Sequence, residues 1–249
     1  MLRKFVALVA VVTASMTGGI SAVSAADLGG ARYGSLKDDP VYERRATWTG
    51  FYLGAHVGYS WGGVDHAQTN GGMPYGPYSY DTDGFLGGAT LGFNVQYQSL
   101  VAGLEADLGY MDTSGDGRIP SSVPTAYQKI WLDGGFYALA AARLGVAFDR
   151  TLIYAKGGRA YLNGEAGQQT TNPGYVTHTS GSLDGWAYGG GVEHKVSDKM
   201  SIKLEYLHFD FDTVTGDQTS VSDPPIGYVY TNKSDASVDT VKVGINFHF

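Results

Sequence analysis

The chain has 249 residues and no cysteine, and its 24 acidic residues outnumber 17 basic ones for a net charge of −7. The missing cysteines exclude a disulfide framework and thiolate metal sites, and the acidic balance without a basic stripe excludes nucleic acid as a partner. With 37 Gly, 18 Tyr, 10 Phe and 16% charged residues, the composition fits a Gly- and aromatic-rich all-β protein.

Arg3 and Lys4 precede an apolar run from Phe5 to Val12 that continues through Thr13 and Ala14, and small residues follow to Val23-Ser24-Ala25-Ala26. A charged start, a short apolar centre and a small-x-small site predict a secretory signal peptide over residues 1–25, cut after Ala25 or Ala26. Loss of Arg3 and Lys4 leaves 15 basic against 24 acidic residues, a net charge of about −9. Residues 26–47 carry Lys37-Asp38-Asp39-Pro40 and Glu43-Arg44-Arg45 without any sustained period. They are predicted to form a flexible periplasmic leader. Later apolar runs are interrupted by Gly, polar and charged residues every few positions, which excludes helical spans and leaves barrel strands open.

From Trp48 the period becomes two, and eight segments alternate. In the first, Phe51, Leu53, Ala55, Val57 and Tyr59 share one face, opposite Tyr52, Gly54, His56, Gly58 and Ser60. In the second, Phe85, Ala89, Leu91, Phe93, Val95 and Tyr97 oppose Thr90, Asn94 and Gln96. The third sets Leu100, Ala102, Leu104, Ala106, Leu108 and Tyr110 against Gly103, Glu105, Asp107 and Gly109, and those carboxylates cannot face lipid. The fourth sets Phe136, Ala138, Ala140, Ala142, Leu144, Val146 and Phe148 against a face with Arg143. The fifth, residues 151–163, has no assignable register, because Lys156 and Arg159 fall on opposite parities; one must lie at an end or beyond a bulge. The sixth sets Trp186, Tyr188 and Val192 against Glu193 and Lys195, and the seventh sets Ile202, Leu204 and Tyr206 against Lys203 and Glu205. In the last, Val241, Val243, Ile245, Phe247 and Phe249 oppose Thr240, Lys242, Gly244, Asn246 and His248.

Connection lengths separate a membrane barrel from a soluble sandwich. Between these segments lie about 24 residues (61–84), two (98–99), about 19 (112–130), two (149–150), about 21 (164–184), three (197–199) and about 26 (212–237). Alternating long and short connections, with the ~10 residues per strand that a tilted crossing needs, match tight periplasmic turns and long outer loops. The fold class is therefore an all-β, eight-stranded antiparallel up-and-down transmembrane β-barrel over residues 48–249.

The inward faces collect Glu105, Asp107, Glu193 and Glu205 against Arg143, Lys195, Lys203 and Lys242. A barrel of eight strands is just wide enough for side chains to fill, and buried ions must be paired. A compensated polar plug is expected in place of an open pore. Tyr59, Trp61, Tyr97, Tyr110, Phe148, Trp186 and Phe249 lie near strand ends, where interfacial girdles form.

The stretch Trp48-Thr-Gly-Phe-Tyr-Leu-Gly-Ala-His-Val-Gly-Tyr59 resembles the opening strand of the alphaproteobacterial outer-membrane surface antigens, a porin-like family that includes hemin-binding outer-membrane proteins. Residues 185–194 (GWAYGGGVEH), 202–208 (IKLEYLH) and 240–249 (TVKVGINFHF) are similar to its later strands. The resemblance covers Trp48 to Phe249. It implies an eight-stranded outer-membrane barrel, with the C-terminal Phe249 and Phe247 read by the barrel-assembly machinery. It also implies a tether from the amine of Ala26, followed by Asp27, to peptidoglycan. Lipid and lipopolysaccharide of the outer membrane are the remaining partners expected.

Asp112-Thr-Ser-Gly-Asp-Gly117 matches the early ligand spacing of a calcium loop, but Val123 stands where the bidentate carboxylate belongs, and a turn-rich outer loop is expected. Gly87-Gly88 and Gly157-Gly158 lack the helix of a phosphate-cradling loop. The six His residues show no metal-binding spacing. His56 and His248, on neighbouring strands once the barrel closes, are expected to share a hydrogen-bond network, with metal or heme contact the rival. His208 with Asp210 and a nearby hydroxyl offers a lipid A-modifying site on fold analogy alone. No cofactor, metal or catalytic residue is assigned. The reading is a structural, non-enzymatic barrel that supports the envelope and displays four loops, with a small porin-like channel as the alternative.

Overall fold

The computed structural model describes residues 47–70, 73–120, 127–170, 176–212, 214–219 and 229–249. The signal peptide and leader, with Ala26 and Asp27, lie outside the described residues apart from Thr47. Nine strands follow one another: β1 (Gly50–Asn70), β2 (Met73–Tyr97), β3 (Leu100–Pro120), β4 (Tyr127–Phe148), β5 (Thr151–Thr170), β6 (Val176–Lys195), β7 (Met200–Phe211), β8 (Val214–Thr219) and β9 (Val229–His248). Each pairs antiparallel with the next through β7. β7 pairs with β9, and β9 returns to β1, so the sheet closes. β8 pairs with the outer part of β9 and continues the stave that β7 begins. The barrel thus has eight staves and no free edge along its closed wall, which is what a sheet needs to cross lipid.

The register is set by which parity lipid accepts. Phe51, Leu53, Val57, Leu91, Leu104, Leu108, Leu144, Ile153, Val243 and Ile245 face outward, and Tyr52, His56, Thr90, Glu105, Asp107, Arg143, Lys203 and Lys242 are buried inside. A slip by one residue would reverse every side chain. At the rim of short turns, the outward aromatics are Phe51, Tyr97, Phe148 and Phe249. Tyr59, Phe85, Tyr110, Phe136 and Trp186 stand at the other end of the belt. Just beyond them carboxylates appear on the outer face: Tyr59 donates to Asp83, and Tyr206 donates to Asp239 at 2.6 Å.

Two-residue turns join β2 to β3 and β4 to β5, with Gln98 (φ 55°) and Asp149 (φ 53°) in left-handed conformations that tight hairpins require. The third short connection spans four residues, 196–199, one more than the alternation implied.

Two expectations are corrected, and the open register of β5 is resolved. First, much of what reads as long loops is strand. β1 runs on to Asn70 and β2 starts at Met73, β3 reaches Pro120, and β5 and β6 extend to Thr170 and from Val176. Outside the bilayer both faces of a ladder can be polar, so alternation stops where backbone pairing does not. Secondly, the apparent calcium loop, residues 112–117, belongs to β3, beside a register shift between Tyr110 and Ser114. For β5 the first of the two alternatives holds, an end position, with no bulge against β6. Lys156 points inward, and Arg159 points outward above the belt, where it pairs with Asp212 at 3.3 Å and lies 5.2 Å from the Trp186 ring centroid.

Candidate functional site

The interior of the barrel is where the chain concentrates charged chemistry. From β3, Glu105 and Asp107 project inward two residues apart. Arg143 comes from β4, Lys156 from β5, Glu193 from β6, Lys203 and Glu205 from β7, and Lys242 from β9. Lys156 Nζ donates to Glu105 at 2.5 Å and Asp107 at 2.7 Å, and lies 3.3 Å from Glu205. Lys242 binds Asp107 at 3.0 Å and Glu205 at 2.8 Å. Lys203 reaches Glu105 at 3.1 Å. Arg143 Nη1 donates to both Glu105 at 3.2 Å and Glu193 at 3.0 Å, and its Nε donates to Asn94 at 2.8 Å. Four cations thus meet four carboxylates, and all eight are at most 4% exposed.

Neutral partners complete the layer. Tyr52 donates to Glu105, and Tyr154 to Glu205 at 2.8 Å. Thr90 donates to Asp107 at 2.6 Å. Ser201 and Asn246 donate to Glu193, which also faces His248 at 3.4 Å. Inward glycines leave the room these long side chains need. A Cβ on Gly92 would stand 2.1 Å from the Tyr52 ring, and one on Gly103 would stand 2.3 Å from Asn94 Oδ1.

Apolar layers cover the ions on both sides. Toward the outer end, Leu86, Met111, Tyr137, Leu139, Leu162, Leu207, Phe209, Phe211 and Val238 fill the lumen. At the short-turn end, Trp48, Val101, Ala147, Leu152 and Tyr154 form a second cluster. Exclusion of water from above and below strengthens each ion pair and makes an unpaired ion more costly.

Seven of the eight charged residues picked from parity lie in this layer. The exception is Lys195, which turns to the rim: its Nζ donates to the Thr47 carbonyl at 2.7 Å and the Asp198 carbonyl at 3.3 Å. The missed member is Lys156, hidden by the conflict with Arg159. The apolar layers were also missed, although Leu207, Phe209 and Phe211 follow Lys203 and Glu205 at the same parity. Phe247 and Phe249 face outward on β9 and just past its end.

Oxygens of Glu105, Asp107 and Glu205 come within 4.8 Å of one another, a spacing that suits a cation. Lys156, Lys203 and Lys242 supply that charge, so the arrangement leaves no uncompensated ligand set for a metal. His56 and His248 do not meet. His56 bonds to Thr90 at 3.1 Å and to Tyr137, whereas His248 pairs four positions along the barrel with Tyr52 and bonds to Ser201 at 2.8 Å. His208 turns to Asp239 at 2.8 Å, not to Asp210, and no activated hydroxyl completes that pair among the described residues.

Known proteins share this architecture. The chain is 26% identical over 212 residues to the 31 kDa outer-membrane immunogenic protein of Brucella melitensis, covering 82% of this chain and 84% of that one. It is 28% identical to the 22 kDa outer membrane protein of Rhizobium leguminosarum bv. viciae, over 71% of this chain and 70% of that one. Among solved structures, the outer membrane protein OprG from Pseudomonas aeruginosa superposes with a TM-score of 0.51 at 11% identity, over 81% of this chain and 97% of that one, and supports the fold alone. These relatives agree with the alphaproteobacterial resemblance. The family model of the outer membrane protein beta-barrel domain matches residues 13–249, and the chain belongs to that family as a multi-pass barrel of the outer membrane.

Proposed function

We propose that this barrel is a non-catalytic structural element of the outer membrane, whose strands carry surface-displayed hairpins on a wall with a sealed interior. One observation carries the reading. The ion layer joins staves on opposite sides of the lumen through Lys203 and Glu105, so the side chains fill the space through which a solute would pass. The relatives named as outer-membrane immunogenic proteins support surface exposure of the long ends.

Partners follow as part of the same proposal. The apolar belt meets lipid and lipopolysaccharide. Phe249 is 84% exposed and Phe247 is 55% exposed on the closing strand, an arrangement suited to recognition by the barrel-assembly machinery. A peptidoglycan tether through Ala26-Asp27 would fasten the barrel from below; a sacculus peptide beginning at Ala26 is the expected finding.

Planar-bilayer recording tests the sealed interior. Protein whose heat-dependent gel shift proves folding is expected to give no discrete conductance steps. Stable unitary steps from that preparation would overturn the reading in favour of a small channel. An epitope inserted between Asn70 and Met73 should bind antibody on intact cells, and its absence there would count against display.

A further inference from the structure

The mouth at the short-turn rim is filled by a residue that belongs to no strand. Trp48 precedes β1, yet it is 1% exposed and packs against Val101, Ala147, Leu152 and Tyr154. Gly50 lets the chain turn between mouth and wall. Its φ of +137° favours glycine, and a Cβ there would stand 2.8 Å from the Phe249 carbonyl oxygen.

The holding contacts come from staves around the mouth. The Trp48 backbone N–H donates to Gln96 Oε1 of β2 at 2.8 Å, and the Gln96 backbone N–H donates to Thr49 Oγ1 at 2.9 Å. Lys195 of β6 grips the Thr47 carbonyl at 2.7 Å while its Nζ lies 5.1 Å from the Trp48 ring centroid. His248 meets the indole edge-on at 5.7 Å, and the same His248 faces Glu193 of the ion layer. None of these contacts is a rung of the barrel ladder, whose pairing with β1 begins at Gly50. Removal of Trp48 therefore breaks no inter-strand backbone bond.

We propose that Trp48 is a releasable cork of the periplasmic mouth, latched by Lys195 and Gln96. Withdrawal bares the inner cluster around Ala147 and Leu152 while the wall stays closed. Loss of the latch is thereby turned into access to that end of the barrel interior.

The natural chain has no cysteine, so Ala147→Cys introduces a unique reporter beneath the indole. A water-soluble maleimide should label it slowly in the folded protein. Lys195→Met is expected to raise the rate by about tenfold or more, since it removes both a charged hydrogen bond and a cation–π contact, and Trp48→Ala should raise it further, with the heat-dependent gel shift kept in both. Ala187→Cys, buried in the other cluster, should stay protected in every background. Unchanged labelling of Ala147→Cys in folded Trp48→Ala protein would overturn the proposal, as would equal labelling of Ala187→Cys. If Trp48→Ala does not fold, unchanged labelling with Lys195→Met overturns it alone.

Discussion

Lys203 Nζ on β7 lies 3.1 Å from Glu105 Oε1 on β3, and these staves stand four apart in a ring of eight, on opposite sides of the barrel. The pair therefore crosses the lumen. It does so beside Lys156, which binds both Glu105 and Glu205, so the crossing is one bond of a layer that holds each ion at several points. Removing one partner from such a layer leaves a charge buried without compensation, which costs far more than the intact pair contributes.

Glu105→Gln is expected to destabilise the folded barrel by about 3–5 kcal/mol, because Tyr52, Arg143, Lys156 and Lys203 all converge on that carboxylate. Lys203→Met should cost less, since Glu105 keeps Arg143 and Lys156. The double variant should be more stable than the sum of the two, with a coupling of about 0.5–3 kcal/mol. Urea unfolding of the refolded variants, followed by tryptophan fluorescence, measures all three. Simple additivity would show that the crossing contributes nothing.

Arg143→Ala removes the Nη1 group that joins Glu105 to Glu193, together with the one guanidinium that lies 4.6 Å from the Tyr52 ring centroid and 5.1 Å from that of Tyr154. A loss of about 3–5 kcal/mol is expected. Arg143→Lys should recover only part of the loss, since one ammonium can take over the Nη1 contacts to the two carboxylates but not the Nε bond to Asn94 or the planar packing on Tyr52 and Tyr154. The readout is the temperature at which the compact gel band disappears. Equal temperatures for wild type and Arg143→Ala would remove Arg143 from the network.

How much of this was legible depends on what each face of a strand touches. β1 and β9 could be read residue by residue because lipid demands large apolar groups outside, while the interior there takes Gly, Ser, Asn and Lys. β4 and β7 are harder toward their outer ends. Tyr137, Leu139, Phe209 and Phe211 are apolar inside while Phe136 and Tyr206 are apolar outside, so the period of two fades where the interior turns from ionic to apolar. Lys156 stayed hidden because Arg159, three residues on, lies outside at the interface with Asp212, a role that spacing alone does not distinguish. Ion-pair partners were not readable either: Lys203 and Glu105 are 98 residues apart, and closure of the ring brings them together.

Gly92→Ala tests whether inward glycines are required by volume. The added methyl would stand 2.1 Å from both Cζ and the hydroxyl of Tyr52, whose ring is held by Glu105 and Arg143 and cannot swing aside freely. Overpacking of this kind costs about 1–3 kcal/mol. Tyr52→Phe in the same chain should not relieve it, because the ring carbon clashes as well as the hydroxyl, whereas Tyr52→Ala should remove most of the penalty. Unfolding midpoints of the single and double variants decide the matter. A Gly92→Ala protein with wild-type stability would mean that Tyr52 has another place to go.

Leu104 faces lipid at 68% exposure, one residue from the buried Glu105 and midway along the apolar part of β3. Leu104→Arg places a cation in hydrocarbon near the centre of the belt, and a loss of about 2–4 kcal/mol is expected. The same substitution at Asp112, which is exposed above the belt on the same face, should cost about 0–1 kcal/mol, because the penalty falls toward the interface. Reversible folding into lipid vesicles compares the two. The depth dependence is the decisive feature, since a register shifted by one residue would put position 104 in the lumen among carboxylates, where an added cation could find a partner. Equal costs at 104 and 112, or a stabilising Leu104→Arg, would overturn the register of β3 and with it the placement of Glu105 and Asp107.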